Sequence, residues 1–392
     1  MRQSRKKWER RREVHRNKLA AVIFVIMMIA FCVVNLATGD REFSATENRA
    51  LEQRPELTIS GIESGRWMEQ YESYVSDQFA GRDFWVMLKS RVDLLAGKRK
   101  ANGVFKGKDH YLLEDIAKPD EDQMKENLSA MKMFQKQYKD IPMYMMLVPN
   151  AANIESDKLP GYAVTENQEK QFKAIHSTLG SVYTWVDVSD ILKKHRSEEI
   201  YYHTDHHWTT LGAYYAYTDF CKAKGIEPEE LDSYDTKEFD GFLGSFYNDT
   251  SDAKLKKNPD VVTAYYPHND SVMHVTASDG QKYDWPVIYD VTNYGAALKY
   301  SAFIASDNPY TVIENKDLND GSSCIVVKES FGNAFVPFLV DHYQKIYVID
   351  YRYWTGSISK FAQENKVQDV LFLNNLSMIR NKSLVGKLHR VL

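Results

Sequence analysis

Residues 324–335 read CIVVKESFGNAF. Four apolar residues run without interruption, a Lys-Glu-Ser follows, and Phe-Gly-Asn then opens the helix-like run NAFVPFLVDHY (333–343). An unbroken apolar run, rather than an alternating one, is the pattern of a strand buried on both faces, as in parallel sheets. The same pattern recurs in IPMYMMLVP (141–149), SVYTWVDV (181–188), KIYVIDYR (345–352) and DVLFLNN (369–375). Helical periodicity lies between these runs. In 119–140, Met124, Leu128, Met131, Phe134 and Tyr138 share one face. A second helix is expected at about 166–178. A third, TTLGAYYAYTDFCKAKG (209–225), is expected to be capped by Thr209 or Thr210 and ended by Gly225. Strand–helix alternation of this kind predicts an α/β domain of three layers around a mainly parallel sheet.

Further out the rhythm changes. GVFKGKDHYLLE (103–114) reads as strand, turn and strand. EEIYYHTD (198–205) is strand-like. Residues 226–320 are rich in Asp, Asn, Gly, Ser and Tyr, with β-like pieces VVTAYY, MHVTAS and WPVIYDV, and read as a β-rich insertion. Residues 39–102 read as a polar stalk leading into one or two amphipathic helices. No repeat, Walker loop or GxGxxG is present. The domain proper is therefore expected to span 103–392.

The first 38 residues carry a different message. Residues 1–18 hold nine Lys/Arg and two Glu, and LAAVIFVIMMIAFCVVNLA (19–37) holds no charge. About 20 apolar residues cross a bilayer as a helix. The run is longer than a usual signal-peptide core and lacks a clean cleavage site. Residues 19–38 are therefore expected to be an uncleaved transmembrane signal anchor, with the basic tail cytoplasmic and everything after it extracytoplasmic.

Over 392 residues the net charge is near −4, which gives no support for a nucleic-acid partner. With three cysteines, the chain is neither a disulfide scaffold nor a thiolate zinc protein. Cys221 and Cys324 fall in the exported part, and their spacing leaves open whether they pair. The 25 Tyr and 7 Trp suit sugar-binding faces only as a weak hint, since aromatics are often core.

The chemistry concentrates at strand ends, where open α/β sheets place their sites. Ser330 stands at a strand-to-helix turn, which displays a nucleophile well and offers backbone N–H groups to an oxyanion. A plain N-cap serine is the alternative. A serine nucleophile needs a base, and the base an orienting carboxylate. HTDHHW (203–208) can supply both: His207 would take the Ser330 proton and Asp205 would fix the imidazole. The rival reading is a mononuclear metal site from His203, Asp205 and His206 or His207. No second cluster of comparable density exists and H-E-x-x-H spacing is absent, so no metal is expected. His203 and His206 are expected to be structural, and Trp208 to pack beneath the loop.

Several segments together resemble the DHHW family, and the SGNH-hydrolase-like proteins of the alginate O-acetylation type. They are ENRAL with YVSDQFAGRDFW, NGVFKGKDHYLL, MLVPNAANIESDKLP, YHTDHHWTTLGAYYAY, DGFLGSF and KESFGNAF, in that order over roughly residues 40–392. The resemblance implies an SGNH-like fold. It implies Ser330 as nucleophile, His207 as base and Asp205 as orienter, in the chain order Asp–His–Ser. It places Tyr351 and Arg352, in IDYRYW, near the active site, and Asn374, with Asn375 as runner-up, at the oxyanion-hole position. Glu329 stands where the commoner motif has Asp.

By that resemblance the chain is expected to be a membrane-anchored O-acetyltransferase of a cell-surface or secreted polysaccharide. It would need no cofactor of its own and would be supplied with acetyl groups by a membrane-bound O-acyltransferase partner. Two other readings stay open: an acetyl esterase using the same residues, and a non-catalytic polysaccharide-binding scaffold.

Overall fold

The continuous apolar runs become the centre of one large sheet. The computed structural model describes residues 2–41, 43–44, 49–98, 100–138, 141–250, 254–377 and 382–392. Residues 47–48 of ENRAL, 139–140 at the end of the stretch 119–140, 42, 45–46 and 99 of the stalk, 251–253 of the insertion, and 378–381 lie outside the described residues. The chain divides into two units, residues 1–89 and 90–392.

In the first unit, α1 spans Arg2–Ala37. Its segment Glu13–Ala37 is, among the described residues, the one helix long and apolar enough to cross a membrane, and its apolar side chains are exposed. Three helices follow: α2 (Ile59–Glu63), α3 (Arg66–Asp77) and α4 (Arg82–Leu95), the last running into the second unit.

The second unit begins with a small antiparallel sheet containing β1 (Val104–Lys106) and β2 (Leu112–Glu114). Helix α5 (Glu121–Gln137) buries Leu128, Met131 and Phe134, as its periodicity requires. Then come β3 (Met143–Val148), the short α6 (Ala151–Ile154), α7 (Gln168–Leu179), β4 (Thr184–Val186), α8 (Ser189–Lys194) and α9 (Thr210–Lys224). Thr209 caps α9 by accepting from the Gly212 N–H, and Gly225 ends it at φ 78°, a left-handed value that glycine adopts without steric cost. The β5 (Asp235–Phe242) and β6 (Asp260–Tyr266) hairpin has α10 (Ser245–Thr250) between its strands. Strands β7 (Ser271–Thr276), β8 (Lys282–Trp285) and β9 (Tyr310–Asn315) complete the insertion. The last part of the chain holds β10 (Ser323–Lys328), α11 (Gly332–Phe335), β11 (Lys345–Asp350), α12 (Ile358–Glu364), β12 (Asp369–Asn375) and α13 (Lys382–Val391).

The main sheet has eight strands in the order β8-β7-β9-β11-β10-β12-β3-β4. The five from β11 to β4 are parallel, and β9, β7 and β8 add on antiparallel. The sheet is therefore mixed: much of the β-rich insertion extends the sheet edge instead of standing apart from it. Strand side chains alternate between two cores. Tyr144, Met146 and Val148 enter one cluster, and Met143, Met145 and Leu147 the other.

Three expectations are corrected. EEIYYHTD is not a strand: it makes a single bridge, Tyr201 to Trp208, because its far end is held by side-chain bonds instead of a ladder. WPVIYDV continues as a strand only to Trp285, since Pro286 has no N–H to donate. The helix after Ser330 stops at Phe335 and continues as one 3-10 turn, Val336–Leu339, with Pro337 in it. Cys221 and Cys324 are both free and buried, so neither is in a disulfide.

Candidate functional site

The structure brings Asp205, His207 and Ser330 together. Ser330 lies in the turn two residues after β10, and His207 lies on the loop that leads into α9. The His207 Nε2 is 2.8 Å from Ser330 Oγ, and its Nδ1 is 2.5 Å from Asp205 Oδ1. All three residues are buried, with Ser330 only 6% exposed. Asp205 Oδ1 also accepts the His207 backbone N–H, and Oδ2 accepts the Ser245 N–H at 2.7 Å. Burial by itself raises the Asp205 pKa. The neighbouring His206 and His207, the His207 hydrogen bond and the Ser245 N–H outweigh it and hold the carboxyl well below the usual range. An ionised Asp205 can only accept, so Nδ1 carries the imidazole proton. The bare Nε2 then accepts from the Ser330 hydroxyl, the arrangement a general base needs.

The loop is folded by polar bonds that the sequence motif does not advertise. Asp260, at the start of β6, accepts from the His203 N–H at 3.0 Å, the Thr204 N–H at 2.8 Å and the Thr204 hydroxyl at 2.5 Å. The Thr204 hydroxyl oxygen accepts from the Gly244 N–H. His203 packs its ring edge on Tyr111 and places Nε2 3.1 Å from Glu199. His206 meets Ser245 Oγ at 2.7 Å, and burial together with His207 pushes its pKa down. Trp208 is fully buried and donates from Nε1 to the Phe331 carbonyl at 3.0 Å, tying the histidine loop to the serine turn. Tyr300 completes the enclosure. Its ring stacks on His207 at 4.2 Å between centroids and 15° between planes, and its hydroxyl donates to the Ser330 carbonyl.

Asp205, His206 and His207 offer ligand atoms within 4.8 Å of one another, the spacing a metal ion needs. Each of those residues is nevertheless engaged: Asp205 with His207 and Ser245, His206 with Ser245, His207 with Ser330. The same atoms suit proton transfer as they stand.

Glu329 departs from simple expectation. Its Oε2 lies 3.2 Å from Ser330 Oγ and accepts the Phe331 N–H, while Oε1 accepts the Asn375 N–H at 2.8 Å. Burial raises its pKa, against the lowering effect of Arg352 and the backbone donors. Below it, Lys328 is 1% exposed and reaches Asp307, Asn333 and Asp350. Arg352 holds Asp350 by two bonds and pairs with Asp307 at 2.7 Å. Paired in this way, two cations and two carboxylates tolerate burial that none would tolerate alone.

The outer candidates fare unevenly. Arg352 faces this ion network. Tyr351 is wholly buried: it continues the Tyr347–Ile349 side of β11 into the core, and its hydroxyl has no hydrogen-bond partner among the described residues. Asn375 donates from Nδ2 to the Val148 carbonyl and its Oδ1 accepts from the Ser377 N–H and hydroxyl, which commits its amide to the strand end. Asn374 donates one Nδ2 bond to the Val327 carbonyl at 3.4 Å, and its buried Oδ1 has no partner. Sequence reading assigned no role to Gly244, Ser245, Asp260 or Tyr300. The first two sit in DGFLGSF, which the resemblance singled out; nothing marks Tyr300 among 25 tyrosines.

A family model described as DHHW protein matches residues 128–349, which include both the histidine loop and the serine turn. The chain belongs to the DHHW family. A DHHW family protein from Eubacterium siraeum has a similar structure at 28% identity and a TM-score of 0.67, covering 75% of this chain and 97% of that one. Bacillus cereus PatB1 is similar at 20% identity and a TM-score of 0.61, covering 72% and 98%. A structure of PatB1 with a sulfonyl adduct matches equally, at 20% and 0.61, covering 72% and 97%. At that identity PatB1 speaks to the fold. No curated protein matches the chain.

Proposed function

We propose that this DHHW protein is an extracytoplasmic serine O-acetyltransferase that moves acetyl groups onto hydroxyls of a polysaccharide. The observation that carries this reading is the 2.8 Å approach of His207 Nε2 to Ser330 Oγ, with ionised Asp205 behind the ring. The resemblance to polysaccharide O-acetylation proteins supplies the substrate class.

His207 takes the Ser330 proton as Oγ attacks the acetyl carbonyl of the donor, and the proton passes to the leaving group as the tetrahedral intermediate collapses. A sugar hydroxyl then attacks the acetyl-serine and gives its proton to His207. The sugar ester leaves, and Ser330 regains a proton. The Ser330 N–H and the second N–H of the Asn374 amide are the proposed oxyanion donors. Residues 19–38, whose apolar run lies within the helix segment Glu13–Ala37, are the proposed anchor, with residues beyond them outside the membrane, where a membrane-bound O-acyltransferase would deliver the acetyl group.

Full-length protein supplied with an aryl acetate, with and without an oligosaccharide, tests the reading. Acetylated sugar that disappears in Ser330→Ala supports the transferase. Free acetate alone, unchanged by sugar, supports an esterase and sinks transfer. One observation favours a third reading, a non-catalytic scaffold: Ser330 is nearly buried and Glu329 shares its hydroxyl. A sulfonyl fluoride, the reagent class suggested by the PatB1 adduct, separates it from the others. Labelling of Ser330 excludes the scaffold; an unreactive Ser330 supports it.

A further inference from the structure

On the outer side of the insertion, Tyr283, Trp285, Tyr289, Tyr294, Ser301 and Ala305 line an open pocket of about 480 Å³. Tyr283 and Trp285 are two apart on the edge strand β8, so they share a face. The rings continue from one to the next. Trp285 and Tyr289 lie 4.5 Å apart at 33°, and Tyr289 and Tyr294 lie 5.7 Å apart at 55°. Tyr283 and Tyr294 are 39% and 38% exposed. No charged side chain lines the pocket. Tyr283 meets Trp285 edge-on, 6.0 Å apart at 83°, so Trp285 and Tyr289 are the pair nearest one plane, and the tyrosine hydroxyls give the lining its polar groups.

The pocket's floor belongs to the same strap as the candidate site. Ser301 and Ala305 face the pocket, while Tyr300, the residue before Ser301, stacks on His207 and bonds the Ser330 carbonyl. Asp307, two residues beyond Ala305, reaches Lys328 and Arg352 under the serine turn. Between them Ile304, Ala305 and Ser306 all have positive φ, at 44°, 55° and 68°. Three non-glycine residues in that region are costly, a β-branched one especially, and persist only where the surroundings hold them. Ile304 is held by its N–H bond to the Val287 carbonyl, and Tyr289 donates to the Ala302 carbonyl, so the aromatic wall and the strap are one bonded unit.

We infer that this pocket is a neutral pyranose subsite, which seats one ring of the polysaccharide whose neighbouring units reach Ser330. The C–H faces of a pyranose are apolar and its edges carry hydroxyls, which matches aromatic faces with phenolic rims. A volume of about 480 Å³ lies within the ordinary range for small-ligand pockets. An aromatic box for a quaternary ammonium is the competing chemistry. With no carboxylate among the lining side chains to balance a cation, the pocket favours the sugar. The inference rests on the polysaccharide reading above and names the side chains that would hold the polymer.

The test is saturation-transfer NMR on the full-length protein in lipid nanodiscs, with cellotetraose and chitotetraose as probes and tetramethylammonium as the competing one. Saturation of ring C–H protons is expected from the wild type. It should fall at least about fivefold in Trp285→Ala, and Trp285→Phe, which keeps an apolar face, should retain most of it. Equal signals from wild type and Trp285→Ala, no wild-type signal from either tetraose, or transfer to tetramethylammonium alone would overturn the inference. Acetylation of Ser330 by an aryl acetate, measured beside it on the wild type, keeps the two readings apart. Sugar binding without an active serine overturns only the acetyltransferase, and an active serine without Trp285-dependent binding overturns only the subsite.

Discussion

Gly244 stands directly against Asp205: a Cβ placed on Gly244 would overlap the Asp205 Cβ and Oδ2. The close approach lets the next residue, Ser245, give its N–H to Oδ2 at 2.7 Å. Gly244→Ala should therefore push Asp205 away from His207 without touching any reacting atom. Misplacement of a catalytic group on this scale costs about a hundredfold in rate, and overpacking destabilises by roughly 1–3 kcal/mol. Aryl acetate kinetics and urea unfolding read both. An unchanged rate would mean that Asp205 does not depend on this contact.

Asp205→Asn tests the carboxylate itself. An amide in its place would leave His207 in the wrong tautomer, with an expected drop of about 10³–10⁴ in kcat. The folded Asp205 pKa lies below its ordinary 3.8. Its charge thus contributes stability that is present above about pH 3.8 and lost as pH falls through the lower folded value. Urea midpoints measured from pH 6 downward should show a shallower acid decline in Asp205→Asn than in the wild type. Parallel curves would contradict this.

Glu329 has the opposite sign. Burial sets its folded pKa above the ordinary 4.5. The neutral acid contributes stability that is full below about pH 4.5 and lost as pH rises through the folded value. Ionisation also puts a negative charge 3.2 Å from Ser330 Oγ, where it competes for the hydroxyl proton and opposes the oxyanion. Glu329→Gln, which keeps an acceptor for Phe331 or Asn375, should remove part of the alkaline decline in both stability and kcat. Profiles that superimpose on the wild type would show that Glu329 does not titrate in this way.

How much was legible in the sequence follows from what each signal encodes. Unbroken apolar runs such as CIVV and MYMMLV report burial on both faces, so the parallel strands could be read directly. Such runs carry no parity, however, and cannot say which face a residue takes. The resemblance carried by IDYRYW sets Tyr351 near the site, but the run does not tell that its ring is packed in the core. EEIYYHTD has strand composition, but three bonds to Asp260, some 55 residues later, fix it as a loop. The pairing of Asp205 and His207 with Ser330 was read from residue types and family resemblance together. The supports from Gly244, Ser245 and Tyr300 come from some 40 to 90 residues further along the chain than the histidine loop, and local pattern does not tell which glycine, serine or tyrosine the fold brings to the site.

The most direct measurement of the central claim is peptide mapping after a rapid acid quench. Full-length protein is mixed with an aryl acetate and digested, and the peptide containing Ser330 is weighed. One acetyl group on Ser330 is expected in the wild type, sharply reduced in His207→Ala and absent in Ser330→Ala. An acetyl group found elsewhere, or none on Ser330 while the protein turns over the ester, would contradict a Ser330 nucleophile activated by His207.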